Sequence, residues 1–311
     1  MEIETDPAPL VGEAIGDALG MAFETQKEDS PALLQWDGKS YLPSEYHGLR
    51  PGQWTDDTMM AKLLAESILT CGGFYPRDIA DRYRAWYQGK NHRGMGKATK
   101  AALERLDHGT PWTESGTEGS EGNGSAMRAA PIGFFFHEDP VTIREFATMD
   151  ARITHRSLEA EQGSIAVALG AALLLQKPDL AVFAETIAEH LADSQIRQGL
   201  RRVGFYKQQG DVSAAEALRL TGTKAHVVQT VPAAFAALTL TKSFEEAIQV
   251  AIRAGGDTDT TAAITGALAG IYYGYNQIPK LWRDGLEDLQ HLRRLETKIS
   301  RGPRSDALWL L

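Results

Sequence analysis

Apolar residues recur at helical spacing along most of the chain. From Thr58 to Ile68 they follow an i, i+3, i+4 pattern, and Lys62 and Glu66 lie on the opposite face. The same periodicity predicts helices over Lys97–Leu106, Glu161–Gln176, Leu180–Leu191, Gln195–Gln208, Val212–Leu220, Ala225–Leu240, Phe244–Arg253 and Thr260–Tyr275. The alternation of apolar and polar residues that is typical of strands is scarce. The pattern therefore predicts an all-α fold.

The helix predicted over Thr260–Tyr275 carries a stripe of small residues. Every fourth position is small, at Ala262, Gly266, Gly270 and Gly274. Glycine inside a helix costs up to about 1 kcal/mol relative to alanine, so the stripe requires an explanation. The simplest one is a neighbouring backbone that packs unusually close. We therefore expect this helix to be central.

Two segments interrupt the helical pattern. Glu24–Trp54 is rich in proline and glycine, and Ser115–Ser125 contains four glycines and three serines. Both are predicted to be loops. Loops of this length inside a compact domain are either disordered or functional.

Nothing along the chain marks a domain boundary. The 311 residues show no composition shift typical of a linker and no internal repeat. An apolar content of 43% with 23% charged residues is ordinary for a globular protein. A chain of this length can bury one large core. We expect a single domain over residues 1–311.

Charge and cysteine content narrow the class of protein. The 41 acidic residues outnumber the 32 Lys and Arg, which argues against a nucleic-acid binder that neutralises phosphates. The single cysteine, Cys71, excludes an internal disulfide and suits a reducing compartment. Met1–Pro9 lacks the pattern of a signal peptide, and the longest apolar run, Ile165–Leu175, is too short to span a bilayer. We expect a cytoplasmic protein that is a monomer, with a buried core helix at that run.

Two acidic clusters each precede a predicted helix. They are Trp54–Thr58 (WTDDT) and Gly255–Thr261 (GGDTDTT). Helix capping would account for one oxygen at each start, because a cap needs only one side chain. If the clusters met, the additional carboxylates would repel one another unless a cation compensated them. Such oxygens suit hard cations like Mg²⁺ or Mn²⁺, but about 200 residues separate the clusters and spacing does not show that they converge.

Three further segments carry weaker signals. The glycines of Gly122–Arg128 (GNGSAMR) let the backbone approach a ligand, and successive N–H groups can bind phosphate. A flexible surface loop has the same composition. Gly16–Gly20 (GDALG) is typical of the end of a helix that carries an acidic residue. Glu24 follows where the proline-bearing loop begins. His155 alone is more typical of a satisfied histidine at a helix end than of a ligand-binding residue.

Taken together and in this order, these segments resemble the motifs of the ADP-ribosylglycohydrolase family. That family includes the dinitrogenase-reductase-activating glycohydrolases. The matching segments span residues 12 to about 275 and are Gly16–Gly20 with Glu24, Trp54–Thr58, Gly122–Arg128, Thr154–His155 and Gly255–Thr260. Each motif is weak alone, but five in order are specific.

The resemblance implies a compact all-α domain, an orthogonal helix bundle, with two Mg²⁺ or Mn²⁺ ions in a cleft. The residues implied as metal ligands are Thr55, Asp56, Asp57, Asp257, Asp259 and Thr260. The residues implied to bind ADP-ribose are Gly122, Asn123, Gly124, Ser125, Met127 and His155. Glu24 matches an acid on a mobile loop at the site mouth. Either Glu24 or Asp57 would then act as the base on a water molecule or as the acid for the leaving group.

The function that the resemblance implies is a metal-dependent ADP-ribosyl hydrolase. It would cleave the glycosidic bond between ADP-ribose and a modified protein or small conjugate, through an oxocarbenium-like state. Two alternatives stay open: a non-catalytic relative that binds ADP-ribose or serves structurally, as lens crystallins do, and a metal phosphohydrolase that cuts the pyrophosphate.

One departure from the family bears on the linkage. Bacterial relatives that act on ADP-ribosyl-arginine tend to carry an aspartate where this chain has Gly94. The missing carboxylate weakens the expectation that a cationic guanidinium is recognised. Serine-linked ADP-ribose, O-acetyl-ADP-ribose and other conjugates therefore stay open.

Overall fold

The structure, a computed structural model, describes residues 6–302. Within that range it contains 17 α-helices, which are α1 Pro9–Gly20, α2 Pro31–Gln35, α3 Asp56–Cys71, α4 Pro76–Gln88, α5 Lys97–Asp107, α6 Trp112–Ser115, α7 Ala130–Phe135, α8 Pro140–Thr154, α9 Leu158–Leu174, α10 Phe183–Glu189, α11 Gln195–Gln209, α12 Ala214–Thr221, α13 Val227–Thr239, α14 Phe244–Arg253, α15 Thr258–Tyr273, α16 Lys280–Gly285 and α17 Leu289–Ile299. Two short strands, β1 Thr117–Glu118 and β2 His155–Arg156, pair in parallel. Met1–Thr5, the first part of the N-terminal segment that lacks a signal-peptide pattern, lies outside the described residues.

The all-α prediction is confirmed. Each helix predicted from periodicity is present, with ends that differ by at most three residues from the prediction. The apolar run Ile165–Leu175 lies almost entirely in α9, whose residues are nearly all buried. No helix among the described residues is long and apolar enough to cross a membrane.

The prediction of an uninterrupted loop over Glu24–Trp54 is wrong in one place. The short helix α2 lies within it, because Pro31 occupies the first helical position and the Ser30 hydroxyl accepts the Leu33 N–H at 3.4 Å. In the second predicted loop, β1 and a 3₁₀ turn over Asn123–Ser125 form short ordered pieces.

The close approach predicted for the small-residue stripe lies between α15 and α1. A Cβ atom added to Gly266 would lie 2.0 Å from the Gly12 carbonyl oxygen, and one added to Gly12 would lie 2.1 Å from that of Gly266. A Cβ on Gly270 would lie 2.2 Å from the Ala8 oxygen. The two backbones are thus in direct contact. Gly274 is the exception, because it ends α15 with φ of 85° instead of continuing the stripe.

Contacts near the C-terminal end of α1 position the starts of α15 and α3. The Thr258 hydroxyl, at the start of α15, donates to the Gly20 carbonyl at 2.8 Å. On another side of α1, the amide of Thr55 donates to the Asp17 carboxylate at 3.0 Å, which places the start of α3 there. The two acidic clusters therefore meet because both are held against the same helix.

Candidate active site

The two acidic clusters converge on Asp57. The Thr55 hydroxyl donates to Oδ2 of Asp57 at 3.1 Å, and the Thr260 hydroxyl contacts the same oxygen at 3.4 Å. Thr260 is 203 residues further along the chain. All six residues predicted as metal ligands are buried and lie at the starts of α3 and α15. The convergence that spacing could not establish is present in the fold.

Helix capping does not account for these side chains. At the start of α3 it is Asp17, from α1, that accepts the amides of Thr55 and Thr58, at 3.0 and 3.1 Å. Asp17 also accepts the Thr58 hydroxyl at 2.6 Å. At the start of α15, Oδ2 of Asp257 accepts a side-chain hydrogen bond from a separate loop. Asp17 is thus the residue that positions Asp56 and Asp57, and at the start of α15 Oδ1 of Asp259 accepts the Thr260 amide at 3.0 Å.

The buried carboxylates of the cluster repel one another. Burial, then the negative charges of Asp17 and Asp259, raises the pKa of Asp57 well above its usual range. Burial and the charge of Asp259 do the same to the pKa values of Asp56 and Asp257. Oδ1 of Asp57 is buried and accepts no hydrogen bond from any described residue. Converging carboxylate and hydroxyl oxygens with an unused buried acceptor fit a hard divalent cation.

Glu24 lies at the edge of this cluster and forms an ion pair with His47. Nε2 of His47 is also 3.6 Å from Oδ2 of Asp259. Burial lowers the pKa of His47, but its interactions with the Asp259 and Glu24 carboxylates outweigh burial and raise that pKa to about 10. Glu24 is held in place by its neighbour, because the Thr25 amide donates to the Gly256 carbonyl at 2.7 Å.

The glycine loop is tied to the acidic cluster by Asn123. Its amide nitrogen donates to Oδ2 of Asp257 at 2.5 Å and to the Thr230 hydroxyl at 3.0 Å. Gly122 and Gly124 make room for the ring of His155: a Cβ atom on Gly124 would lie 2.8 Å from its Cε1. A side chain at Gly124 would therefore collide with the imidazole, and one at Gly122 would crowd it.

His155 is a buried, neutral imidazole. Its Nδ1 is 2.8 Å from the Thr154 hydroxyl. Burial and the positive charge of Arg128 lower its pKa to about 3. Nδ1 faces the Thr154 hydroxyl, so Nε2 is the ring nitrogen that faces the loop. It lies beside Gly122.

The remaining loop residues serve the loop's own structure. Arg128 is fully buried, and its guanidinium donates to the Gly124 carbonyl at 2.8 Å and to the Asp150 carboxylate at 2.7 Å. The Ser125 hydroxyl donates to the Ala160 carbonyl at 3.3 Å, and the Met127 side chain lies in the hydrophobic core. Contact of Ser125 and Met127 with ADP-ribose stays a prediction.

A cavity of about 690 Å³ adjoins the cluster. Glu24 and Asp257 lie on its wall, together with the basic side chains of Lys27, Arg219 and Lys224. Pockets for small ligands have volumes of about 300–1,000 Å³. The cavity is therefore of the right size for a small-molecule group next to the carboxylates.

Gly94 lies directly over the cluster. A Cβ atom there would be 2.9 Å from Oδ1 of Asp56 and 3.2 Å from Cε1 of His47, and its φ is 84°. A larger residue would need another backbone conformation and would crowd both side chains. Gly94 is thus part of the site.

Two residues of the site were missed as functional residues. Asp17 lies in the GDALG motif, but nothing local to that motif shows that it would hold the start of α3. His47 lies in the proline-bearing loop and belongs to no periodic pattern. Ser44 pairs with Leu49, five positions further along, and Gly48 between them has φ of 66°, which indicates a turn but not what the turn carries.

Comparison with known proteins agrees with this geometry. The model of the ADP-ribosylglycohydrolase family matches residues 8–307. The chain belongs to the ADP-ribosylglycohydrolase family.

Individual relatives cover nearly the whole chain. The ADP-ribosylarginine hydrolase Tri1 of Serratia proteamaculans is 31% identical over 93% of this chain and 77% of its own length. The ADP-ribosylhydrolase ARH3 of Danio rerio is 29% identical over 92% of this chain and 88% of its own. A solved structure titled ADP-ribosylglycohydrolase-related protein complex superposes with a TM-score of 0.79 at 30% identity, over 96% of this chain and 97% of that one.

Proposed function

We propose that this protein is a metal-dependent ADP-ribosyl hydrolase that cleaves the glycosidic bond between ADP-ribose and a modified protein side chain or a small conjugate. The observation that carries the proposal is the meeting of two buried carboxylate clusters at Asp57 beside a glycine loop bound to Asp257. A purely structural protein has no need for buried carboxylates that repel one another, because burying unpaired charge is costly.

In this proposal Thr55, Asp56, Asp57, Asp257, Asp259 and Thr260 hold two Mg²⁺ or Mn²⁺ ions. Bound cations of this kind compensate carboxylate charge, orient hydroxyl groups of a sugar and favour deprotonation of water. The unused buried Oδ1 of Asp57 and the all-oxygen donor set support this assignment.

The loop residues bind the rest of ADP-ribose. Backbone N–H groups of Gly122–Ser125 are the donors for the diphosphate, since the N–H groups of a glycine-rich turn can surround an anion. His155 is uncharged and offers Nε2 as a hydrogen-bonding group beside the same loop. The adjoining cavity has room for a further part of the substrate or its leaving group.

Glu24 is the better placed of the two candidate catalytic acids. Its side chain is 19% exposed at the edge of the cluster and reaches the cavity, whereas Asp57 is buried with Oδ2 contacted by two threonine hydroxyls. In the hydrolysis, Glu24 would take a proton from water as the water oxygen bonds to the anomeric carbon. The bond from that carbon to the leaving group would break, and the leaving group would take up the proton that Glu24 removed from the water, so that free ADP-ribose and the protonated leaving group are the products.

The product distinguishes this proposal from its alternatives. We expect a mixed pool of arginine- and serine-linked mono-ADP-ribosylated peptides to release free ADP-ribose with Mg²⁺ and none with a chelator. The linkage that is cleaved shows whether the protein, which has Gly94 in place of a carboxylate, acts on arginine-linked or serine-linked ADP-ribose. AMP as product would favour cleavage of the pyrophosphate, and unchanged peptides under both conditions would favour a binding or structural relative.

The stability of the metal-free protein should fall as pH rises from about 7 to 9. Carboxyl groups with a raised pKa in the folded state bind protons more tightly there than in the unfolded chain, so their contribution is lost as pH rises. His47, with a pKa of about 10 against 6.5 unfolded, contributes in the same direction. The pKa of His155 is lowered to about 3, so this residue makes the stability rise with pH, but only below pH 6.5.

Saturating Mg²⁺ should reverse this trend, because it binds the deprotonated carboxylates. Bound at 100 times its Kd, it adds about 2.7 kcal/mol to the free energy of unfolding. Urea unfolding at pH 7, 8 and 9, with Mg²⁺ and with chelator, measures both slopes. Identical slopes under the two conditions would contradict a cation site at the cluster.

We also propose that the chain is one domain over residues 1–311 that acts as a cytoplasmic monomer. The buried apolar residues of the described part form one contiguous core, which supports a single domain. The lone Cys71 supports a reducing compartment.

A further inference from the structure

We propose that Glu287 and Arg93 form an ion pair that positions Thr55 and Asp56, two of the proposed metal ligands. Neither residue of the pair belongs to the five segments that resemble the family motifs. The inference rests on the proposed function, because it concerns the geometry of the proposed cation site. Both residues act through the backbone beside the ligands, so they are positioning residues and not ligands.

Glu287, between α16 and α17, holds the residues directly before Thr55 with both its backbone and its side chain. Its amide donates to the Gly52 carbonyl at 2.9 Å, and its carbonyl accepts the Trp54 indole N–H at 3.2 Å. Its Oε1 accepts the Gln53 side-chain amide at 2.8 Å. The three residues that precede Thr55 are therefore all bonded to this one glutamate.

The same carboxylate forms a two-pronged ion pair with Arg93. Nη2 of Arg93 donates to Oε1 of Glu287 at 3.2 Å, and Nη1 donates to Oε2. The guanidinium also lies 5.0 Å from the centre of the Trp54 ring and donates to the Trp54 carbonyl at 3.4 Å. Two-pronged pairs of this kind are strong and directional. Because the Arg93 side chain is only 16% exposed, water screens the pair less than an ordinary surface pair.

Arg93 connects this pair to a second piece of backbone beside the ligands, at Gly94. A Cβ atom on Gly94 would lie 2.9 Å from Oδ1 of Asp56 and 3.2 Å from Cβ of Thr55. The backbone of residue 94 therefore lies directly against both ligands. Glu287 thus fixes the chain before Thr55 and, through Arg93, the loop that covers Thr55 and Asp56.

Loss of the ion pair should weaken cation binding without unfolding the site. Residues that orient metal ligands typically contribute about ten- to a hundredfold to metal affinity. Glu287 and Arg93 act one step further from the ion, so we expect a smaller effect, of at least about fivefold. Asp17 still accepts the amides of Thr55 and Thr58, so the start of α3 should stay in place.

The test is a calorimetric titration of MgCl₂ into the full chain. The variant is Glu287→Gln, which removes the negative charge at nearly constant size. The matched control is Glu161→Gln, because Glu161 also accepts an arginine, Arg152, with both carboxylate oxygens, at 2.7 and 3.2 Å, but at the start of α9. We expect the Kd for Mg²⁺ to rise at least about fivefold in Glu287→Gln and to stay unchanged in Glu161→Gln. The Mg²⁺ concentration for half-maximal release of ADP-ribose should rise by the same factor.

A double-mutant cycle with Arg93→Met tests whether the two residues act together. Arg93→Met should weaken Mg²⁺ binding as Glu287→Gln does. The double variant should bind no more weakly than either single variant, because the pair is already broken in each of them. Effects that multiply in the double variant would show that the residues act independently and would overturn the inference.

Circular dichroism and the thermal midpoint in chelator check the fold of each variant. A lower thermal midpoint with unchanged Mg²⁺ affinity would mean that the pair only stabilises the fold, which overturns the inference. Should Glu287→Gln fail to fold, Arg93→Lys, which keeps the charge but loses the two-pronged contact, must weaken Mg²⁺ binding. Absence of Mg²⁺ binding in wild type would overturn the proposed cation site and this inference with it, whereas equal binding by wild type and Glu287→Gln overturns this inference alone.

Discussion

Replacement of Asp57 by asparagine should lower the rate of ADP-ribose release by at least about 1,000-fold, which corresponds to about 4 kcal/mol of activation free energy. Asp57 is the residue on which both clusters converge, and its Oδ1 is the buried acceptor left unused by the described protein atoms. The substitution removes one negative charge and replaces one carboxylate oxygen by a donor that repels a cation. Release of ADP-ribose from peptides in saturating Mg²⁺ measures the effect.

Thermal unfolding separates a ligand role for Asp57 from a catalytic role. We expect Asp57→Asn to lose both activity and stabilisation by Mg²⁺, whereas Glu24→Gln should lose activity but keep that stabilisation. Asp81→Asn, at an exposed aspartate on α4, is the matched control and should leave both unchanged. Full Mg²⁺ stabilisation of Asp57→Asn would exclude Asp57 as a metal ligand.

Replacement of Gly266 by alanine should destabilise the protein by more than about 3 kcal/mol, at the upper end of the cost of overpacking. The new Cβ atom would lie 2.0 Å from the Gly12 carbonyl oxygen, so α1 and α15 must move apart. The atom it meets is backbone and cannot turn aside like a side chain. Urea unfolding followed by circular dichroism measures the loss.

The matched control is Gly204→Ala in the interior of α11. There the added Cβ would lie 3.4 Å from its nearest neighbour, an ordinary contact. Alanine favours a helix by up to about 1 kcal/mol relative to glycine, so this variant should be equally stable or slightly more stable. If Gly266→Ala were as stable as Gly204→Ala, the direct contact between α1 and α15 would be disproved.

Gly266→Ala should also weaken Mg²⁺ binding, although it touches none of the proposed ligands. The first turn of α15 carries Asp259 and Thr260, and α1 carries Asp17, which holds the start of α3. When the two helices separate, the two halves of the cluster separate as well. The packing of small residues in the core thus sets the geometry of the site.

The sequence pattern predicted the helices whose apolar faces repeat over several turns. α14 is the clearest case, because the periodicity of Phe244–Arg253 reproduces the helix to the residue. Helices such as α4 and α8 were not predicted, although their N-terminal prolines are visible in the sequence. The buried residues of α4, which are Ile79, Ala80, Tyr83 and Trp86, do recur at helical spacing, so their periodicity is sufficient to predict this helix.

The family was also predicted from the sequence, but the place where its motif residues meet in the fold was not. The residue types of the five motifs and the order of those motifs predicted the family and the residues of the acidic cluster. Each motif is weak alone, but five in order are specific to the family. The meeting of Asp57 with Thr260, the support of α3 by Asp17 and the approach of His47 to Glu24 depended on the tertiary structure. Periodicity is a property of neighbouring residues, whereas these contacts join segments that only the packing of α15 against α1 brings together.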